Sequence, residues 1–105
     1  MFTRIVMLKL KANSESEFTS LNENEVIPLL RKHDGFRDAV TFVAPERSQA
    51  LAISFWDTKE NAEAYNRTGY PEVLKALSTV IEGTPKVETF KLSNSTFHKI
   101  AAKAV

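Results

Sequence analysis

The chain has no cysteine. That excludes disulfides, thiolate nucleophiles, iron–sulfur ligation and thiolate zinc sites together, and it suits a reducing compartment. An excess of one charge is also lacking. The 14 basic and 13 acidic residues leave a formal net charge of +1 and are spread along the chain, so there is no electrostatic footprint for nucleic acid or an anionic membrane surface. No apolar run is long enough to span a bilayer. The opening MFTRIVMLKLKANSESEF is broken by Arg4, Lys9 and Lys11 and lacks the layout of a signal peptide. A cytoplasmic protein without nucleic-acid or membrane partners is therefore expected. Repeats, low-complexity tracts and linkers are missing as well. A chain of 105 residues buries roughly two-thirds of its unfolded surface, enough for one core and not two. We expect a single domain over 1–105, with its core over about 2–93 and a C-terminal tail over 94–105.

What is present is alternation. Phe2 to Leu10 is rich in β-branched and large apolar residues, with Phe2, Val6, Leu8 and Leu10 on one parity and Ile5 and Met7 on the other, a strand apolar on both faces. Ser14 or Ser16 is placed to cap a helix with Glu15 and Glu17 in its first turn and Phe18, Leu21, Val26, Leu29 and Leu30 on one side. Pro28 removes a backbone donor inside that pattern and predicts a bend or break near Asn24 to Glu25; Gly35 predicts the stop. Phe36 to Ala44 and Gln49 to Trp56 read as a hairpin joined by Pro45-Glu46-Arg47-Ser48. Asp57 with Glu60 forms a candidate capping box for a second helix. Pro71 opens a further helical piece carrying Val73, Leu74, Leu77, Val80 and Ile81, which Gly83 closes. Pro85 to Leu92 reads as a fourth strand.

This order, β-α-β-β-α-β, predicts an α+β ferredoxin-like fold. Right-handed crossovers put both helices on one face of a four-stranded antiparallel sheet. The other face then needs a cover. We expect Ile5 and Met7, Ala39 and Val43, and Ala50 and Ala52 to line it, with Leu51, Ile53 and Phe55 turned toward the helices. A second copy is the expected cover, giving a homodimer through the sheet face; a monomer whose tail folds over that face is the alternative. Trp56 shares the parity of Ala50 and Ala52, so strict alternation sends it to the dimer side.

The stretches IPLLRKHDGF (Ile27 to Phe36), AISFWDTKENAEAY (Ala52 to Tyr65) and NSTFHKI (Asn94 to Ile100) together resemble the antibiotic biosynthesis monooxygenase domain family. The similarity runs in order along nearly the whole chain. The resemblance implies a dimeric α+β barrel, in which two ferredoxin-like sheets face each other and each subunit holds a ligand pocket between its own sheet and helices. It places Trp56 at that pocket. It also implies a range of activities: metal- and flavin-free monooxygenation of quinols or polyketide-type substrates, haem degradation, or none established. Where haem degraders carry a first-strand asparagine this chain has Val6 and Met7, and where they carry the iron-binding histidine it has Leu77; haem chemistry is not expected. No metal and no cofactor is expected.

His33 is the first candidate general base, since imidazole titrates near neutral pH, with a helix C-terminal surface residue as the alternative. His98 lies in the tail, and the two histidines have no metal-ligand spacing. Trp56, Tyr65 and Tyr70 suit the wall of a pocket for a flat, mostly apolar or aromatic molecule, with core packing as the plainer reading. Tyr65 is the second candidate base, and Asn61 either hydrogen-bonds a ligand carbonyl or extends a helix cap. Asp34, Asp38 and Glu60 follow no catalytic spacing and are expected on solvated surface. Two functions remain open: a cofactor-independent monooxygenase acting on a quinol-like or polycyclic aromatic substrate, and a non-catalytic barrel serving as a binding or stress-related accessory protein.

Overall fold

The computed structural model describes residues 1–97. The strands are β1 (Phe2–Leu10), β2 (Phe36–Ala44), β3 (Gln49–Trp56) and β4 (Ile81–Lys91), and the helices α1 (Glu15–Leu21), α2 (Ile27–Arg31), α3 (Lys59–Thr68) and α4 (Tyr70–Ala76). They form one antiparallel sheet in the order β2-β3-β1-β4. This is the α+β ferredoxin-like arrangement the sequence predicts. β1 and β3 are central, and the crossovers skip one strand each.

The faces of β2 and β3 are the reverse of the expectation. Ala50, Ser54 and Trp56 are buried, and Ala39, Val43 and Ala52 pack against the same core, under the helices. Leu51, Ile53 and Phe55 lie on the open face, where Ile5 pairs with Ile53 and Met7 with Leu51. Side-chain size is not the sign of burial on this strand. Here the helices come close to the strand, and alanine and serine leave them room, while Trp56 fills the end of the layer. Trp56 is 0% exposed and obeys strict alternation with Ala52 and Ser54. The conflict over its position disappears once the faces are exchanged.

α1 and α2 are joined by a π-helical turn, Asn22–Val26, in which the N–H of Ile27 donates to the carbonyl of Asn22. Pro28 supplies no N–H and its ring would crowd the carbonyl of Asn24, so the helix widens just before it. It neither breaks nor stops. Gly35, at φ +81°, turns the chain into β2, and a side chain there would collide with Asn61. The cap of α3 falls one residue later than predicted. Thr58 accepts from the backbone N–H of Asn61 at 3.0 Å and donates to its Oδ1 at 2.8 Å, replacing the Asp57–Glu60 pair. Asp57 instead pairs with Arg37.

α4 is shorter than its apolar pattern and ends at Ala76. Val80, 0% exposed, anchors the turn beyond it, and β4 begins at Ile81. Gly83 lies inside β4 at φ +66°, within a bulge where the register against β1 shifts between Met7 and Lys9. It bends an edge strand and does not close a helix. Pro85 is tolerated on the same strand because β4 is an edge.

Candidate functional site

Between the sheet and the helices lies an apolar cavity of about 50 Å³. Its floor is Val6 and Leu8 of β1, Ala39 and Thr41 of β2, and Ala52 and Ser54 of β3. The small residues of β3 open this space. Its roof comes from the π turn and α2 on one side and α3 and α4 on the other. The π turn carries Asn22 to the wall, where its side-chain N–H donates to Thr41 Oγ1 at 3.3 Å. Tyr65 and Tyr70 bring the two ionisable groups to the lining.

Behind the tyrosines lies a stack of aromatic and cationic groups. The rings of Trp56 and Tyr65 are stacked with centroids 4.8 Å apart. The Arg4 guanidinium sits 5.2 Å from the centroid of Tyr65 and 4.7 Å from that of Tyr70. Arg4 belongs to the buried parity of β1 and is 3% exposed. Its Nη1 donates to Asn66 Oδ1 at 2.8 Å. Its Nε and Nη2 are buried with no hydrogen-bond partner. Each orphaned N–H costs roughly 1–3 kcal/mol, and a cation–π contact offsets roughly 0.5–2 kcal/mol, so the tyrosines do not fully replace the missing acceptors.

This arrangement shifts the groups it contains. Burial pushes the Tyr65 phenol well above its ordinary range; Arg4 opposes that and Tyr70 adds to it. Tyr70 is raised by burial too, again against Arg4. Burial draws the Arg4 guanidinium down from its usual value, with both tyrosines holding it up. At neutral pH the site therefore holds two phenols with their protons and one cation.

The predicted site residues are distributed unequally. Tyr65, 4% exposed, and Tyr70 line the cavity. His33 packs edge-on against Tyr65 at 5.2 Å between centroids and lies over Gly69, where any side chain would strike it; it touches the site from behind without lining the cavity. Trp56 likewise stands behind Tyr65, its indole N–H donating to Ser54 Oγ at 2.9 Å. Asn61 is taken up by the cap of α3. His98 lies outside the described residues. Among the described residues no group of three or more His, Asp or Glu side chains converges as a metal site would need, and no helix is long and apolar enough to cross a membrane.

Sequence reasoning missed Arg4 and Asn22. Arg4 left a signal, because it interrupts the parity of Phe2, Val6, Leu8 and Leu10 and a charge on a buried parity is the informative exception. Asn22 left none, since its direction depends on the π turn.

No family model and no curated protein matches this chain. Solved structures do. A putative antibiotic biosynthesis monooxygenase from Bordetella bronchiseptica superposes with a TM-score of 0.75 at 14% identity, over 89% of this chain and 97% of that one. SnoaB, a cofactor-independent oxygenase from Streptomyces nogalater, gives 0.71 at 14% identity, over 90% and 95%. A protein of unknown function from Nitrosomonas europaea gives 0.74 at 16% identity, over 90% and 91%. The fold is thus the one found in proteins of the antibiotic biosynthesis monooxygenase type, as the sequence resemblance implies. At such identities the likeness is one of fold, and fold does not carry chemistry.

Proposed function

We propose that this chain is a cytoplasmic homodimeric barrel protein that binds a small, flat, mostly apolar molecule between its sheet and helices and oxidises it with molecular oxygen, without a cofactor. The observation that carries this reading is the pair Tyr65 and Tyr70, two protonated phenols brought to the wall of an apolar cavity with a buried cation behind them. A quinol-like or polycyclic phenol supplies its own electrons once it loses a proton. In a polycyclic phenol whose keto tautomer carries a ring CH₂, one oxygen atom of O₂ enters that carbon as a carbonyl and the other leaves as water, so that R₂CH₂ + O₂ gives R₂CO + H₂O. In a quinol the same exchange turns a ring C–H into C–OH and the quinol into a quinone, with one O₂ consumed and one water released.

In that reaction Tyr65 and Tyr70 act as donors to the substrate's phenolate or enolate oxygen, stabilised by Arg4 through the rings. The raised Tyr65 phenol suits donation and not proton abstraction, and His33 packs against the Tyr65 ring without lining the cavity, so the substrate enters the reaction already deprotonated or loses its proton to water. Trp56 fixes the Tyr65 ring by stacking, and Asn61 holds the start of α3. The apolar walls exclude water. The cavity must widen to admit such a ligand, because small-molecule pockets span roughly 300–1,000 Å³ and this one is about 50 Å³.

Oxygen uptake with a panel of dihydroquinones and anthrone-type compounds tests the reading. We expect turnover above the buffer rate and a loss of about 100-fold in kcat for Tyr65→Phe, the size expected for removing one aligned oxyanion donor. Uptake at the buffer rate across the panel would remove the oxygenase. The small volume of the cavity favours a second reading in that event, a non-catalytic barrel serving as a binding or stress-related accessory protein.

The dimer rests on the open face. Ile5, Met7, Leu51, Ile53 and Phe55 share it, flanked by Phe42 at 56% and Phe90 at 50% exposure. A patch of that kind is best covered by a second copy of itself.

A further inference from the structure

On the far side of the Arg4 stack from the cavity, a groove of about 320 Å³ runs between α3 and β4, and Arg4 lines it. Phe2 and Val87 give it an apolar wall, Lys59 and Asn66 line its α3 side, and Thr89 lies across from them. Its volume is at the lower end of the range for small-molecule sites. A buried arginine without an acidic partner is costly and rare, and here the two nitrogens without acceptors, Nε and Nη2, form one edge of the guanidinium. That edge is the fork to which a carboxylate binds with two parallel hydrogen bonds.

We propose that this groove is a binding site for a small planar carboxylate, separate from the cavity and independent of any oxygenation. The carboxylate pairs with the Nε/Nη2 edge of Arg4, and its apolar body lies against Phe2 and Val87. Nε and Nη2 are themselves buried, so the ligand reaches them only after the guanidinium shifts toward the groove; Asn66 Oδ1, which holds Nη1 at 2.8 Å from an exposed position on α3, releases it for that shift. Lys59 adds a second positive charge at the mouth. Glu63 lines the same groove and repels multiply charged anions, which selects a monoanion over inorganic phosphate.

Calorimetric titration of the intact protein with benzoate, with benzamide as its neutral counterpart and inorganic phosphate as the competing anion, tests the proposal. Trp56, the one tryptophan, reports on the Arg4 stack by fluorescence. We expect one-to-one benzoate binding, at least about tenfold weaker binding of benzamide and of phosphate, and loss of at least about tenfold in benzoate affinity for Arg4→Met. Glu63→Gln, an exposed change that leaves the fold alone, should tighten benzoate by about two- to fivefold through removal of a like charge. Equal binding of benzoate and benzamide, tighter binding of phosphate, undiminished binding by Arg4→Met, or no effect of Glu63→Gln would each overturn the assignment. If Arg4→Met fails to fold, the Glu63→Gln and benzamide measurements decide it. Oxygen uptake is read in neither assay, so failure here is distinct from failure of the oxygenase reading.

Discussion

Along β3 the side turned toward the helices carries Ala50, Ala52, Ser54 and Trp56, and the side turned away carries Leu51, Ile53 and Phe55. The small residues are inside and the large ones outside. A sheet packed by helices alone would place its bulk inward, since burying a large aliphatic side chain stabilises by about 1.5–3 kcal/mol. The inversion shows that each side meets a different demand. The inner face has to leave room for closely packed helices, a stacked Trp56–Tyr65 pair and a cavity. The outer face offers the kind of surface that stabilises an association.

Adjacent residues on one strand can separate these demands. Ala52→Glu forces a larger, charged side chain into the apolar cavity wall, and should cost about 3 kcal/mol or more through overpacking and desolvation of the carboxylate; urea denaturation followed by circular dichroism should show the transition shifted to much lower denaturant. Leu51→Glu, one residue earlier, places the same charge on the open face. It should leave the monomer folded and abolish the proposed dimer, read in sedimentation as half the mass of the unsubstituted protein. A folded, unchanged dimer from Leu51→Glu would mean that this face is not the interface.

The smallest expected effect concerns pH and belongs to the inner face. The Tyr65 phenol is raised by burial, so below its ordinary pKa near 10 folded and unfolded chains are both protonated and the buried phenol contributes fully. Above that value the unfolded state releases the proton first, and stability falls as pH rises toward the folded-state value, by up to about 1.4 kcal/mol per pH unit. Tyr70 adds in the same direction. Tyr65→Phe should flatten the decline, measured as melting temperature between pH 9 and 11; an unchanged slope would mean that Tyr65 does not sense the burial described.

The order of elements and the limits of the first three strands were legible, because β-branched runs bounded by glycine, proline and polar turns leave few alternatives. The direction of the β2 and β3 faces was not. Leucine and isoleucine alternating with alanine satisfy either orientation, and only Trp56 and the pairing of Ile5 with Ile53 break the tie. β4 was read four residues late because Gly83 and Pro85 carry the composition of a turn, yet both fit an edge strand with a bulge. Within the site, the tyrosines announced themselves by chemistry. Trp56, His33 and Asn61 did so equally and ended behind the wall or in a cap, since residue type does not reveal direction. Arg4 could have been found by asking what a charge was doing on an apolar parity.

The π turn at Asn22–Val26 has an effect on phase. A turn with one residue more than an α-helical turn offsets everything before it by about 100° relative to everything after it, so α1 and α2 present their apolar sides to the core as two separately aligned segments. Phe18 and Leu30 are both buried because the extra residue takes up the difference. Deleting a single residue within 22–26 would return the segment to α-helical phase, rotating Asn22 away from Thr41 and closing one wall of the cavity. One residue of chain length therefore sets whether the amide of Asn22 joins the cavity wall.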